Sequence, residues 1–343
     1  MMEGLLNPQV FVVFKVVVVF VAVLTLVAIG TWAERRGAAF IQDRVGPNRV
    51  AFFGKIRIFG LGQPLADGLK LFFKEDLLPL HVDRVLYTIA PVISFIPATM
   101  TFAAIPFGKP FMKDGVEYFL SILPPDTNIG VLYIFALAGM GVYGIIVGGW
   151  ASNNKWSILG AMRASAQVIS YELAMTLAVV GVVLSTGSLR LDKIIEAQTG
   201  MWNIVPQILG AIVFFVSMFA ETNRLPFDFA EGESEIIGYH TEYMSMKFSM
   251  FFLAEYANMI TASGFFVVLY LGGWHFPYLD STVAGSVVAF VLKLLFVFWT
   301  FIWIRWTLPR FRYDQLMRLG WKVMLPLSLI NLVIVALFYA YGG

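Results

Sequence analysis

The sequence predicts an all-α polytopic membrane protein of about eight transmembrane helices, with an additional amphipathic helix on one side. Three observations carry this. Of 343 residues, 59% are hydrophobic and only 13% are charged, where a soluble domain has about 25% charged residues. A mean hydropathy of +0.78 leaves too little polar material for a water-facing exterior, so the bilayer has to supply one. Apolar stretches long enough to cross a bilayer, about 20 residues, recur along the whole chain.

Those stretches are 10–32, 85–107, 129–149, 159–187, 204–220, 246–272, 286–306 and 323–341. The segment before the first one, Met1 to Val10, has no basic region. The apolar run that follows is about twice a signal-sequence core in length and has no small-residue cleavage site, so it reads as a mature membrane helix. Alternating spans divide the loops into two sets. One set carries Lys109, Lys113, Arg190 and Lys193, and the other carries every remaining loop Lys and Arg, from Arg35 to Lys322. By the positive-inside rule the richer set faces inward, which puts both termini outside. The chain reads as one transmembrane domain, 1–343, whose inner loops 34–84, 150–163, 221–247 and 306–322 are the long and chemically varied ones, so partners are expected there.

Within the first inner loop, Leu65, Leu69, Phe72 and Phe73 recur at helical spacing opposite Asp67, Lys70 and Lys74. This predicts an amphipathic helix over 63–76 that lies on the membrane surface or lines a cavity. Pro91, Pro97, Pro206 and Pro326 fall inside predicted spans and imply kinks or unwound turns.

Several functions are excluded or weakened. A net charge of +2 without a basic, aromatic-interleaved run argues against nucleic-acid binding. Absence of cysteine removes thiolate-held clusters, disulfides and a Cys nucleophile from this chain. Gly139, Gly141 and Gly144 match a dinucleotide fingerprint but lie inside an apolar span with no preceding strand, so they read as close helix packing. His81, His240 and His275 are isolated and offer neither paired haem ligands nor a zinc set, and no metal site is expected.

Charged side chains at membrane depth disfavour insertion by a few kcal/mol each and are candidate functional groups by default. Glu172, Glu255 and Lys293 lie within spans, while Arg163, Glu221 and Arg305 lie near inner span ends and Lys15 lies in the first span. Arg163, Arg305 and Lys15 have stems long enough to snorkel. Glu172 and Glu255 do not, and desolvated carboxyl groups are the chemistry of a proton relay. The loop from Glu221 to Glu242 adds Asp228, Glu231, Glu233 and Glu235 against a single Arg224. Solvated, this is an acidic face; folded against span ends by Pro226, Phe227, Phe229 and Tyr239, its carboxyl groups would titrate together.

Eight segments then carry a resemblance. Glu34-Arg35-Arg36, Arg44-Val-Gly-Pro-Asn-Arg-Val50, the 63–75 segment, Ala161-Met-Arg-Ala-Ser-Ala-Gln-Val-Ile-Ser-Tyr-Glu172, Ala220-Glu-Thr-Asn-Arg-Leu-Pro-Phe-Asp228, Glu231-Gly-Glu-Ser-Glu235, Ala254-Glu-Tyr256 and Pro309-Arg-Phe-Arg-Tyr-Asp-Gln-Leu-Met317 resemble the signature segments of the H-subunit family of proton-translocating NADH:quinone oxidoreductases, respiratory complex I, in one order and end to end. The resemblance implies a membrane subunit that joins the peripheral and membrane arms and forms much of a chamber for ubiquinone or menaquinone. It implies that Arg35, Arg36, Gln42, Arg44, Asp67 and Lys70 line that chamber. It further implies that Glu172, Glu221, Asp228, Glu231, Glu233, Glu235 and Glu255 form an acidic path linking quinone reduction to proton translocation, with Arg163, Arg224, Arg305 and Arg310 as counter-charges. Implied partners are the peripheral quinone-module subunits, which with others hold the iron–sulfur clusters and flavin, and laterally the small membrane and antiporter-like subunits, in a bacterial inner membrane or its equivalent. Two departures are visible: the stretch between Asn48 and Gln63 is longer than in the shortest members, and Glu235 to His240 is one residue shorter than the family form. The same type of membrane subunit also serves hydrogenases and ferredoxin- or F420-fed dehydrogenases, and a stand-alone ion transporter would use buried Glu and broken helices too.

Overall fold

A computed structural model describes residues 8–50, 59–113, 116–123, 128–232 and 235–342. The longer loop preceding the amphipathic helix and Glu233 therefore lie, in part and in whole, outside the described residues. The helices are α1 (Pro8–Ile41), α2 (Gln63–Phe73), α3 (Arg84–Met100), α4 (Gly130–Ala151), α5 (Lys155–Thr186), α6 (Leu191–Glu196), α7 (Ile208–Glu221), α8 (Ser245–Tyr270), α9 (Val283–Thr307), α10 (Tyr313–Leu319) and α11 (Leu325–Gly342). A two-stranded antiparallel hairpin, β1 (Phe111–Lys113) with β2 (Val116–Tyr118), decorates one loop. Among the described residues, seven helices are long and apolar enough to cross a membrane, with α10 and α11 forming a single span.

The fifth expected span differs. Its apolar run begins at Ile204, but α7 begins at Ile208 and has 14 residues, about 21 Å of helix against a hydrocarbon core of about 30 Å. Pro206 has no N–H to give a helix, and the turns before α7 are held by irregular backbone bonds, such as Ile204 N to Tyr270 O at 3.0 Å, and by side chains: Asn203 Nδ2 donates to Leu269 O at 2.9 Å and Gln207 Nε2 to Ser185 Oγ at 3.2 Å. Pro91 and Pro97 do lie inside α3. Pro326 lies at the start of α11, directly after a π-turn over Gly320–Met324 that joins α10 to α11. At the other extreme α1 runs beyond the apolar stretch through Glu34, Arg35 and Arg36 to Ile41, because leaving the apolar run does not end a helix whose next residues are good helix formers.

Three helix starts follow the expected capping chemistry. Asp83 accepts from Val85 N and Leu86 N at 3.0 and 3.1 Å, Asn154 accepts from Trp156 N at 3.1 Å, and Thr282 accepts from Gly285 N at 3.0 Å. Helix α8 is the centre of the bundle, with most of its residues buried against α1, α2, α3, α6, α7 and α9. α3 and α4 approach closely because Gly144 has no side chain: a Cβ there would overlap Ser94. α5, α7 and α11 form the flanking group, tied by buried Asn331, which accepts from Gly210 N at 3.1 Å.

Two cations within spans have structural partners. Lys293 donates to the carbonyls of Leu271, Gly273 and His275 at 2.6, 3.1 and 2.5 Å and lies 4.3 Å from the Trp202 ring centre, so it satisfies the orphan carbonyls beyond the end of α8. Lys15 donates to Phe119 O and Ser121 O at 3.2 and 2.9 Å. These contacts, with Lys109 N on Ser286 Oγ, gather one set of loops on one side. The basic loops gather at the other, where the candidate site lies.

Candidate functional site

The amphipathic helix α2 packs beside α1 and α8 at the basic-loop end. Its last carbonyls are held from α8, since Ser245 Oγ donates to Leu71 O and Lys74 O, both at 2.9 Å. No residue of α2 is buried, and Leu65, Leu69, Phe72 and Phe73 are exposed, so its apolar stripe faces away from this chain. On its polar side Asp67 meets Arg35 of α1 at 2.6 Å and accepts from Gln63 at 2.9 Å. Arg36 lies 5.9 Å from the Phe59 ring centre and donates to Pro47 O at 3.4 Å. Gln42 and Arg44, hydrogen-bonded at 2.7 Å, are exposed beyond α1, and Lys70 is exposed in the last turn of α2. Arg35 and Asp67 are thus brought together, whereas Gln42, Arg44 and Lys70 extend from the same end without converging on them.

The second group is interior. α7 ends in a turn that places Glu221 as its last helical residue and Asn223 at φ 50°. Arg224 N donates to Phe219 O at 3.2 Å and Asn223 N to Ala220 O at 3.3 Å, the pairing of a Schellman cap, with Asn in the left-handed position usually taken by Gly. The chain then turns Arg224 inward. Its guanidinium, 3% exposed, reaches Glu255 Oε2 at 3.2 Å and Glu34 Oε2 at 3.6 Å and lies 4.5 Å from the Tyr256 ring centre. Glu34, 5% exposed, also accepts from Tyr256 Oη at 2.5 Å and pairs with Arg305.

The acidic loop folds over this node. Phe227, Phe229, Ala230, Ile236 and Tyr239 are buried. Asp228 pairs with Arg310 at 2.9 Å, Glu231 lies 3.4 Å from His240 and shares a side-chain hydrogen bond with Glu255, and Glu235 at the surface pairs with Arg163 at 2.8 Å. Burial, then the Glu231 charge, raise the Asp228 pKa above the ordinary carboxylate value in spite of Arg310, Arg305 and Arg224. Burial acts on Glu231 in the same sense, but His240, the hydrogen bond with Glu255, Arg224 and Arg305 together outweigh it and hold Glu231 below the ordinary value. Burial would weaken the Arg224 cation, and Glu255, Tyr256, Glu34 and Glu231 more than restore it.

Two small cavities lead away from the node. One, about 30 Å³, is lined by Glu255, Tyr239, Asn223, Glu221, Asn258 and Ser94 among others. The next, about 40 Å³, shares Glu221, Thr222, Asn258 and Ala138 with the first and continues to Thr101 and Thr261. Each is large enough for two or so waters at about 10–15 Å³ apiece. Glu221 stands between them with Oε2 buried and, among the described residues, without a hydrogen-bond partner. Glu172 is half-buried on α5, facing Gly139 and close enough to Glu221 for their charges to interact. The predicted residues Glu221, Asp228, Glu231 and Glu255 are thereby gathered, Glu172 adjoins them, and Glu235 stands apart with Arg163.

Three members of the site escape a reading of the sequence. Glu34 is legible there only as part of the Glu-Arg-Arg motif at the end of a span, and Tyr256 only as the neighbour of Glu255. Asn258 gives no signal beyond being a polar residue in an apolar helix.

A family profile described as NADH dehydrogenase matches residues 14–336. The chain is 46% identical over 340 residues to the first of the numbered H-type subunits of the NADH-quinone oxidoreductase of Cytophaga hutchinsonii, covering 95% of this chain and 97% of that one. It is 49% identical over 333 residues to the second numbered H-type subunit of the same oxidoreductase in Geobacter metallireducens, covering 94% and 93%. To the H-type NADH-quinone oxidoreductase subunit of Leptospira biflexa it is 47% identical over 345 residues, covering 95% and 94%.

Proposed function

The chain belongs to the H-subunit family of the NADH-quinone oxidoreductases, and from that premise we propose that it forms part of the quinone chamber of the complex and carries the acidic path coupling quinone reduction to proton translocation. The observation that carries this reading is the chain of acids itself: Glu34 and Glu255 joined through Arg224, Glu231 hydrogen-bonded to Glu255, and two water-sized cavities that run from Glu255 past Glu221. Such a row can pass protons, because each member lies within reach of the next or of a cavity able to hold water.

The quinone is the substrate, received from the bilayer. The exposed apolar stripe of α2 suits a hydrocarbon tail, and Arg35 with Asp67 offers a polar pair beside it for the approach to the headgroup. A change in charge at the quinone would act on Glu231 and Asp228, whose proton affinities depend on the surrounding ions, and pass inward to Glu255 and Glu221. Electrons come from clusters in partner subunits seated on the basic loops, and antiporter-like subunits lie laterally, in a bacterial inner membrane. Relatives named as oxidoreductase subunits, 46–49% identical along almost the whole chain, are what favour this reading over a stand-alone transporter.

The test is Glu255→Gln and Glu221→Gln in the assembled complex. Proton translocation per quinone reduced falls, while electron entry to an artificial acceptor is retained; unchanged translocation in both variants would overturn the relay. Asp67→Asn separates the chamber: quinone reduction falls with electron entry intact, and equal loss of both activities points to failed assembly instead.

A further inference from the structure

We propose that Gln167 is a positioning residue for the acidic row, gripping the turn that carries both Glu221 and Arg224; the inference rests on the reading of Glu221 as a relay member. Gln167 lies on α5, is fully buried, and its Nε2 donates to Ala220 O at 2.7 Å and to Asn223 Oδ1 at 3.2 Å. Ala220 O belongs to the peptide unit that leads into Glu221, and Asn223 is the left-handed residue that reverses the chain toward Arg224. One amide therefore holds both sides of the Schellman cap.

The grip matters because of what α7 lacks. Among the described residues it is the one apolar bundle helix too short to count as a span, and its ends are held by side chains from its neighbours: Asn331 of α11 holds Gly210 at the start, and Gln167 of α5 holds Ala220 at the finish. A short helix fixed at only one end can slide or fray. Sliding would move Glu221 relative to the cavities on either side of it and draw Arg224 from Glu34 and Glu255. Gln167 Oε1 is buried without a partner among the described residues, so within this chain the amide serves as a donor. Its location on α5 also links the turn to the helix that bears Glu172.

The donor requirement gives a test. In the complex, Gln167→Met keeps the length of the side chain and removes the donor, whereas Gln167→Glu restores an O–H donor only while the carboxyl group is protonated. Quinone-linked proton translocation, normalised to electron entry to an artificial acceptor, falls about tenfold in Gln167→Met, the equilibrium equivalent of one net hydrogen bond. In Gln167→Glu the pH profile is displaced toward acid, with activity recovered as the new carboxyl group takes up its proton. Wild-type turnover and an undisplaced pH profile in both variants would overturn the proposal, as would failure of both to assemble, which would make Gln167 a residue of the fold alone. If Glu221→Gln and Glu255→Gln both leave translocation intact, the relay reading fails; if Glu221→Gln abolishes it and Gln167→Met does not, the positioning role alone fails.

Discussion

Arg224→Met removes the cation at the centre of the node and leaves a side chain of similar length to pack against Phe252 and Tyr256. With Glu255 at 3.2 Å and Glu34 at 3.6 Å, each attraction is about 5 kcal/mol at an effective dielectric of about 20. Most of that is offset by the desolvation of three buried ions. What the variant exposes is the penalty of carboxylates left without their cation, about 3–5 kcal/mol when a buried pair is broken from one side. Glu34 keeps Arg305, and Glu255 can answer the loss by holding the proton of its hydrogen bond to Glu231, so the effect lies toward the lower end of that range. Arg224→Lys retains the charge without the fork that spans both acids and falls between variant and wild type. Arg224 also lowers the proton affinities of Glu231 and Asp228, so its removal raises both and moves the pH profile of quinone reduction toward alkali. The assay is the thermal midpoint of the purified complex together with that pH profile. An Arg224→Met complex with wild-type midpoint and profile would refute the account of the node as mutually compensated buried charge.

Glu231→Gln tests the sign of a single shift. Because the folded-state value of Glu231 lies below the ordinary 4.5, its ionised form contributes stability that is present above that pH and is lost as pH falls through the lowered value. The variant is therefore less stable than wild type at neutral pH, and the gap narrows on acidification; thermal inactivation at stepped pH measures it. Lys293→Met strips three carbonyls of their donor and lowers stability by roughly 2–4 kcal/mol, read as a lower thermal midpoint with unchanged quinone turnover per assembled complex. Gly144→Leu forces a side chain onto Ser94 and Ala90, with destabilisation of about 1–3 kcal/mol or more from overpacking, visible as reduced assembly.

The class of fold was legible because hydropathy reports directly on the solvent, and seven of the spans follow it. The fifth does not, since apolar composition counts Ile204 and Val205 as membrane residues while Pro206 and the side-chain bonds of Asn203 and Gln207 decide where the helix starts. Glu172 and Glu255 stood out as candidates from the expense of a short carboxylate at depth, and Glu221 from its charge near an inner span end. Lys293 met the same criterion and has a structural partner set, because a long ammonium stem can reach carbonyls that a glutamate repels. Glu34 escaped because an acid followed by two arginines reads as a span end meeting water, and only the tertiary fold brings Arg224 and Arg305 to it instead of Arg35 and Arg36.

The distribution of cations over the acids separates the row into two zones. Toward the basic loops every described acid of the node has a cation or His240 beside it: Glu34 has Arg224 and Arg305, Glu255 has Arg224, Asp228 has Arg310, and Glu231 has His240. Beyond Glu255 this stops, and no Lys or Arg among the described residues pairs with Glu221 or Glu172. Ion pairs fix charge in place, whereas carboxyl groups beside water-sized cavities and without a fixed cation exchange protons according to the field around them. A row built this way is anchored at the basic-loop end and responsive at the end beyond Glu255. Introducing a cation at the responsive end is the sharper perturbation for that reason: Asn258→Lys, on a wall common to both cavities, puts an ammonium beside Glu221 and holds it ionised. Quinone-linked proton translocation is then lost, while Asn258→Leu, which occupies similar space without charge, retains more of it. Equal effects of the two substitutions on translocation per assembled complex would show that filling the cavities matters and that freedom of charge at Glu221 does not.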